Sequence, residues 1–234
     1  MSRTLKAEAR YFRSNAIGAL LAMIAALILG DIIVALITAF VDDAKAGVPL
    51  GGMFVCMILI VFAFISACTS ATRNFNIAVY MGQTRKDWLV GSCLSGLICM
   101  ELLLVIVIGL VFLERQFLSY AYPALPIEGE ITMASLCWFF PGLPFIMSLG
   151  MLSGILALRF GRAMIWIYTA AWVVFCLNME RAFRLGITAF GPIIDRIAAA
   201  TGGLFYLSGA LIFLILAAGV MAVNWMLLRR QMAA

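Results

Sequence analysis

Long apolar runs constrain the fold of this chain more than any other feature of its sequence. Of its 234 residues, 65% are hydrophobic and 12% are charged, whereas soluble domains are about half apolar and about a quarter charged. About 20 apolar residues suffice for a helix to cross the hydrocarbon core of a bilayer. The sequence therefore predicts an all-α polytopic membrane protein, with residues 16–234 as one six-span transmembrane domain. We expect its membrane helices at about 16–41, 51–72, 89–112, 131–158, 163–177 and 204–228.

The first 15 residues are predicted to form an amphipathic helix on the membrane surface. Basic side chains recur three or four residues apart, and apolar side chains follow an adjacent stripe. The two stripes consist of Arg3, Lys6, Arg10 and Arg13, and of Leu5, Ala9 and Phe12. Such a helix lies in the interface and is attracted to anionic lipid, so membrane lipid is an expected partner. The alternative is a frayed basic tail.

Positive charges are unevenly divided between the two sides of this predicted topology. Eleven of the sixteen Lys and Arg residues fall on the side that carries both chain termini, and seven of the eleven acids fall on the other side. An excess of Lys and Arg marks the cytoplasmic side of membrane proteins. We therefore predict that both termini are cytoplasmic. The net charge of +5 reflects this topology and does not indicate nucleic-acid binding.

The fifth apolar run is short for a bilayer. Its 15 residues would extend about 22 Å as a helix, whereas the hydrocarbon core is about 30 Å thick. The following region, 178–203, is too polar to span and too apolar for a free loop. Glu180 and Arg184 are four residues apart there, and Gly191-Pro192 interrupts the chain. Because polar backbone at membrane depth needs cover by protein or water, we predict a re-entrant pair of short helices on the extracellular side.

One basic segment between two apolar runs differs from a plain loop. Residues 73–88 read RNFNIAVYMGQTRKDW, and Arg73, Arg85 and Lys86 outnumber a single acid. Between these charges lies an apolar stretch that ends at the helix-stopping Gly82. The stretch contains Phe75, Ile77, Val79, Tyr80 and Met81. We predict a short helix within 73–87 that lies across the membrane surface with its ring and thioether side chains available to a partner; the alternative is a solvated loop.

The same segment carries a recognisable pattern around the Gly that ends its apolar helix. After the Gly come a variable residue, a hydroxyl residue and two basic residues. An aromatic residue follows one position later. The pattern is formed by Ala78, Tyr80, Met81, Gly82, Gln83, Thr84, Arg85, Lys86 and Trp88. The pattern resembles the first cytoplasmic loop of bacterial ATP-binding-cassette exporter permeases of the second type. Gln83 departs from it, because an apolar residue is commoner there. The predicted topology resembles that family over the whole chain.

The resemblance implies that residues 73–87 are a coupling helix that docks into a cleft on a separate cytoplasmic ATPase subunit. It gives the coupling role to Phe75, Ile77, Tyr80, Met81, Gly82, Thr84, Arg85 and Lys86. ATP and Mg²⁺ would bind to that partner, since this sequence contains no GxxxxGK[ST] phosphate loop. The resemblance also implies a second permease copy, as a homodimer, in the bacterial cytoplasmic membrane.

Catalytic and metal-binding roles have little support in this sequence. It contains no His, which removes the commonest general base, and its six Cys residues lie in apolar runs without a CxxC pair. We therefore expect a transport subunit and not an enzyme, with no catalytic residue, no metal site and no cofactor bound by the chain itself.

Two acids, Asp31 and Glu101, lie inside predicted spans. A charged carboxylate at the bilayer centre costs about 2.5–3.5 kcal/mol, so each should face protein or water. With the resemblance, both would line a translocation cavity for an amphipathic or cationic peptide or a hydrophobic small molecule. The outer gate of that pathway would comprise Glu180, Arg184, Gly191 and Pro192. Two alternatives are protonated acids with a structural role, and an ion-gradient-driven secondary transporter that uses Asp31 and Glu101.

Overall fold

The computed structural model of the protein describes a helical bundle. The described residues are 2–40, 49–80, 82, 84–122, 139–161, 163–164, 166–167, 170 and 205–230. Within these ranges every regular element is helical and no strand is present. The prediction of an all-α chain is therefore confirmed.

The helices are numbered here in chain order. They are α1 (Ser2–Phe40), α2 (Leu50–Thr69), α3 (Phe75–Tyr80), α4 (Arg85–Ala121), α5 (Phe139–Phe160) and α6 (Phe205–Arg230), and a π-helical turn, Ser70–Asn74, joins α2 to α3. In the described part of the chain, five helices are long and apolar enough to cross a membrane. These are Arg10–Phe40, Leu50–Tyr80, Arg85–Ala121, Phe139–Phe160 and Gly209–Arg229. This set is the signature of a multi-pass membrane protein.

Several predicted boundaries differ from those in the structure. The predicted surface helix and the first span are one continuous helix, Ser2–Phe40, in which Phe12 is buried. The third predicted span ends at Phe112, but α4 continues to Ala121. Most of the fifth predicted span and all of the predicted re-entrant region, 178–203, lie outside the described residues.

Helix α2 is the centre of the bundle and contacts α1, α4 and α5, while α6 packs on α5. Small residues allow these helices to approach closely. A Cβ atom added to Gly30 of α1 would collide with the backbone of Gly51 of α2, and one added to Gly150 of α5 would collide with the backbone of Phe64. The helix axes therefore approach at positions where no side chain intervenes.

Apolar side chains also cover much of the outside of the bundle. Leu21, Leu102 and Ile215 are more than half exposed, although each lies on a helix that also buries apolar residues in the core. A helix that is apolar all round requires an apolar environment on its outer face as well. Lipid supplies that environment for a membrane helix.

Except for Arg115 of α4, the described cationic residues from α2 to α6 gather at one end of the bundle, which we call the basic end. The start of α4 meets the end of α6 there, because Arg85 donates from Nη1 to the Leu228 carbonyl oxygen at 3.1 Å. The end of α5 meets the end of α2 there, because Gly154 lies against Cys68 and Ala71. The described cations at this end are Arg73, Arg85, Lys86, Arg159 and Arg229.

Candidate partner-binding surface and membrane carboxyl groups

Part of the predicted coupling segment forms the helix α3, Phe75–Tyr80, which continues from α2. Residues Leu50–Tyr80 run as one continuous helical stretch, in which the π-helical turn precedes α3. A π-helical turn contains an extra residue and so changes which side chains face the core. At this turn the Ser70 and Ser92 hydroxyl groups are hydrogen-bonded at 2.7 Å in a buried position. The turn therefore fixes α3 to α4 as well as to α2.

Phe75 is the buried anchor of α3. Only 6% of its surface is exposed, and its ring meets the fully buried Trp88 indole edge-on with the ring centroids 5.0 Å apart. The Arg85 guanidinium lies over the same ring, 5.8 Å from its centroid. Aromatic pairs and cation–π contacts of this geometry are both favourable. The sequence pattern predicted that Phe75 contacts a partner, but in the structure this side chain is buried and packs α3 against α4.

The opposite face of α3 is free of the bundle. Tyr80 is 94% exposed and Ile77 is 51% exposed, and Asn76 and Val79 are exposed beside them. We call these four residues the α3 surface. Because α3 is only six residues long and Phe75 anchors its first turn, Tyr80 projects from the last turn at the basic end. The α3 surface is thus an apolar and aromatic patch next to a group of cations.

The turn after α3 is shaped by two predicted coupling residues that have backbone roles. Gly82 has a φ of +76°, a conformation that side chains disfavour, and its N–H donates to the Val79 carbonyl oxygen at 3.0 Å. Thr84 is the N-cap of α4: its Oγ1 accepts from the Asp87 N–H at 3.1 Å and donates to the Asp87 carboxylate at 2.7 Å. These residues orient α4 relative to α3. Met81 lies outside the described residues.

The two basic coupling residues differ in their environment. Arg85 is half-buried and is held by Phe75 and the Leu228 carbonyl oxygen, whereas Lys86 is exposed. Arg85 therefore ties the start of α4 to the end of α6, where a cation also complements the negative end of the helix dipole. Of the two residues, only Lys86 has a side chain that is exposed to a partner.

Asp31 and Glu101 are not brought together. Asp31 of α1 interacts with the carboxyl group of Glu114 on α4. Glu101 precedes Glu114 by 13 residues on the same helix, which is about 20 Å along its axis. Glu101 is half-buried, and its Oε2 atom has no hydrogen-bond partner. The two acids therefore occupy different depths in the bundle.

Glu114 is a buried acid that the sequence did not predict, because the third predicted span ends at Phe112. The structure buries it to 2% exposure, and its Oε2 accepts from the Gly52 N–H at 2.6 Å. It thereby caps the first turn of α2, whose N–H groups have no intrahelical partner. The helical spacing of Val111, Glu114 and Leu118, all three buried, was the signal that could have found it.

Glu180, Arg184, Gly191 and Pro192, the predicted outer gate, lie outside the described residues. Within the described part of the chain, no group of three or more His, Cys, Asp or Glu residues is arranged to hold a metal ion.

Comparison of the chain with protein-family models, with curated proteins and with solved structures finds no match.

Proposed function

We propose that this chain is the transmembrane subunit of an ATP-driven exporter that resembles the ATP-binding-cassette permeases of the second type. The observation that carries the proposal is the α3 surface: an exposed Tyr80 and Ile77 at the basic end, on a segment that Phe75 anchors from inside. An exposed aromatic residue beside apolar neighbours is the kind of anchor that protein interfaces use.

The contacts of α3 suit it to transmit movement from a partner to the membrane helices. Helix α3 continues α2 directly, contacts α4 through Phe75 and Trp88, and reaches the end of α6 through Arg85 and Leu228. Packed side chains and hydrogen bonds of this kind carry coupling between distant sites. A displacement of α3 by a bound ATPase would therefore act on three helices at once.

The charge distribution supports a cytoplasmic location for the α3 surface. The described cations at the basic end lie at the same end of the bundle as this surface, and such an excess favours the cytoplasmic side. In this proposal the partner is a cytoplasmic ATPase that binds ATP and Mg²⁺. A second copy of the permease completes the pathway, and the cargo is an amphipathic or cationic peptide or a hydrophobic small molecule.

A co-purification experiment tests the proposal. The chain is isolated with an affinity tag from membranes of cells that express it naturally, and the eluate is assayed for ATP hydrolysis and for an ATP-binding chain by mass spectrometry. We expect both in the parent and neither in the Tyr80→Asp variant. Tyr120→Asp is the matched control, because Tyr120 is equally open, 88% exposed, at the far end of α4. Equal ATPase yield from parent and Tyr80→Asp would contradict the proposal.

An ion-gradient-driven secondary transporter is the second candidate, and the buried carboxyl groups of Asp31, Glu101 and Glu114 are what favours it. The two functions differ in their energy source. Reconstituted chain without any ATPase would move substrate on an imposed ion gradient if it were a secondary transporter. The exporter proposal expects no transport under that condition.

A further inference from the structure

Three helices meet at the end of the bundle opposite the basic end. Glu114 of α4 reaches the N-terminus of α2, where its Oε2 accepts from the Gly52 N–H at 2.6 Å. Gly51 leaves room for this side chain: a Cβ atom at Gly51 would stand 2.8 Å from the other carboxyl oxygen, Oε1. Helix α1 crosses at the same place, since Gly30 lies against the Gly51 backbone. The Glu114 carboxyl group therefore lies among all three helices.

Asp31 follows Gly30 and presents a second carboxyl group to the same place. The Asp31 and Glu114 carboxyl groups interact directly. One buried oxygen of each, Oδ1 of Asp31 and Oε1 of Glu114, nevertheless accepts no well-aligned hydrogen bond, although the Gly51 N–H at the start of α2 also favours the charged form of Glu114. Buried polar atoms are rarely left unpaired, because the lost hydration costs about 1–3 kcal/mol. One donor placed between the two interacting carboxyl groups would satisfy both unpaired acceptors.

No described cation supplies that donor. Helix α2 contains no Lys or Arg, and α1 has none after Arg13. Cys56 is the titratable group of α2 near Glu114, and the exposed side chain of Arg115, which follows Glu114 in the sequence, donates to neither of the two unpaired oxygens. Two ionised carboxylates in contact repel each other, and the repulsion is strongest where water is scarce. A single proton between the two acids removes one of the charges and fills both unpaired positions.

We propose that Asp31 and Glu114 form a proton-binding site in which one proton is shared between Oδ1 of Asp31 and Oε1 of Glu114. The pair carries a single negative charge, which the N–H groups at the start of α2 stabilise through Oε2. The proton joins α1 to α4 across the N-terminus of α2. Loss of the proton places two like charges in contact where α1 and α4 meet, which destabilises this junction.

Infrared spectroscopy of the full chain in lipid nanodiscs tests the shared proton, because the carbonyl stretch of a protonated carboxyl group is separate from carboxylate bands and shifts in deuterated water. We expect Asp31→Asn to remove the signal of one protonated carboxyl group. In that variant the Asn amide donates to Glu114 in place of the proton. Glu114→Gln should remove the same signal, and the double variant should remove no more than either single change.

Non-additivity distinguishes the shared proton from its alternatives. Loss of two signals in the double variant would mean that the two acids are protonated separately and would overturn the proposal. Loss of no signal in any variant would also overturn it, because both groups would then be carboxylates neutralised by a metal cation or by water. Glu101→Gln is the control, because Glu101 is about 20 Å away along α4. Its effect on the spectrum should add to that of Asp31→Asn.

Thermal stability provides an independent readout that does not depend on the spectrum. Asp31→Asn retains a donor toward Glu114 and should unfold at nearly the parent temperature, whereas Asp31→Leu has a similar volume but no donor and should unfold at a clearly lower temperature. If the two variants are equally stable, Oε1 of Glu114 does not need a donor from position 31, and the proposal fails.

Discussion

The Arg85 guanidinium and the Leu228 carbonyl oxygen are joined by a hydrogen bond of 3.1 Å between residues 143 positions apart in the sequence. Arg85 stands in the first turn of α4, and Leu228 stands in the last turn of α6, where carbonyl groups lack an intrahelical donor. The contact therefore closes the basic end of the bundle around α3.

Replacement of Arg85 by Gln is expected to loosen this end. The change removes a hydrogen bond from a charged donor, which contributes about 1.5–3 kcal/mol when well formed, and it removes the cation above the Phe75 ring. Because Arg85 is only half-buried, we expect a loss below this range, about 1 kcal/mol, in the free energy of unfolding in mixed micelles. Lys86→Gln is the control: Lys86 is exposed, so the stability should stay within measurement error. Equal losses in both variants would contradict the role given to Arg85.

Substitutions at Phe75 and Ile77 should have different effects, the first on the stability of the chain and the second on partner binding. Phe75→Ala removes a buried ring and should lower the free energy of unfolding by about 3 kcal/mol, because the cavity next to Trp88 cannot collapse fully. Ile77→Ala, two residues away on the exposed face, should leave thermal unfolding unchanged but reduce the yield of co-purified ATPase. A stable Phe75→Ala variant would show that α3 is not held by this ring.

Gly30 and Gly18 provide a matched test of the contact between α1 and α2. A Cβ atom at Gly30 meets the Gly51 backbone, whereas one at Gly18, on the same helix, meets nothing within 4 Å. Gly30→Ala should therefore destabilise the chain by about 1–3 kcal/mol through overpacking, and Gly18→Ala should be neutral or slightly stabilising because alanine favours helix. Thermal unfolding of the two variants is the measurement. The same melting temperature for both would contradict a close approach of α1 and α2 at Gly30.

The buried hydroxyl pair Ser70 and Ser92 should show coupling in a double-mutant cycle. Each single change to Ala leaves one hydroxyl group without its partner at 2.7 Å, whereas the double change removes both. We expect the double variant to be less destabilised than the sum of the singles by about 0.6 kcal/mol, the average for such bonds inside membrane proteins. Strict additivity of the three unfolding free energies would show that the contact does not hold the π-helical turn.

The sequence was sufficient to predict that the fold is helical and built from membrane spans, because length and apolar composition alone decide that a run such as 51–72 becomes a membrane helix. It was not sufficient for the end of α4. The charged pair Glu114-Arg115 resembles the start of a loop, and only the N-terminus of α2, distant in the sequence, explains why Glu114 is buried in the helix. The helical spacing of Val111, Glu114 and Leu118 is the one local sign that α4 continues past Phe112, and it does not identify the partner of Glu114.

The sequence predicted which residues form the α3 region, but not which of their side chains face outward. The apolar stretch from Phe75 to Tyr80 was correctly assigned to a helix. Which of its side chains faces outward depends on the extra residue in the π-helical turn and on Trp88, which binds Phe75 from inside. The pairing of Asp31 with Glu114 instead of Glu101 likewise depends on how α1 crosses α2 at Gly30, which no local pattern encodes.

The central claim, that the α3 surface docks on an ATPase, is tested most directly by site-specific cross-linking. The six native Cys residues are replaced, and a single Cys is introduced as Tyr80→Cys or, at the far end of α4, as Tyr120→Cys. Each variant is treated in its native membranes with a short cysteine-to-lysine cross-linker. We predict that Tyr80→Cys yields an adduct with an ATP-hydrolysing chain and that Tyr120→Cys yields none. Absence of an ATPase adduct at position 80, or an equal amount at position 120, would contradict the account.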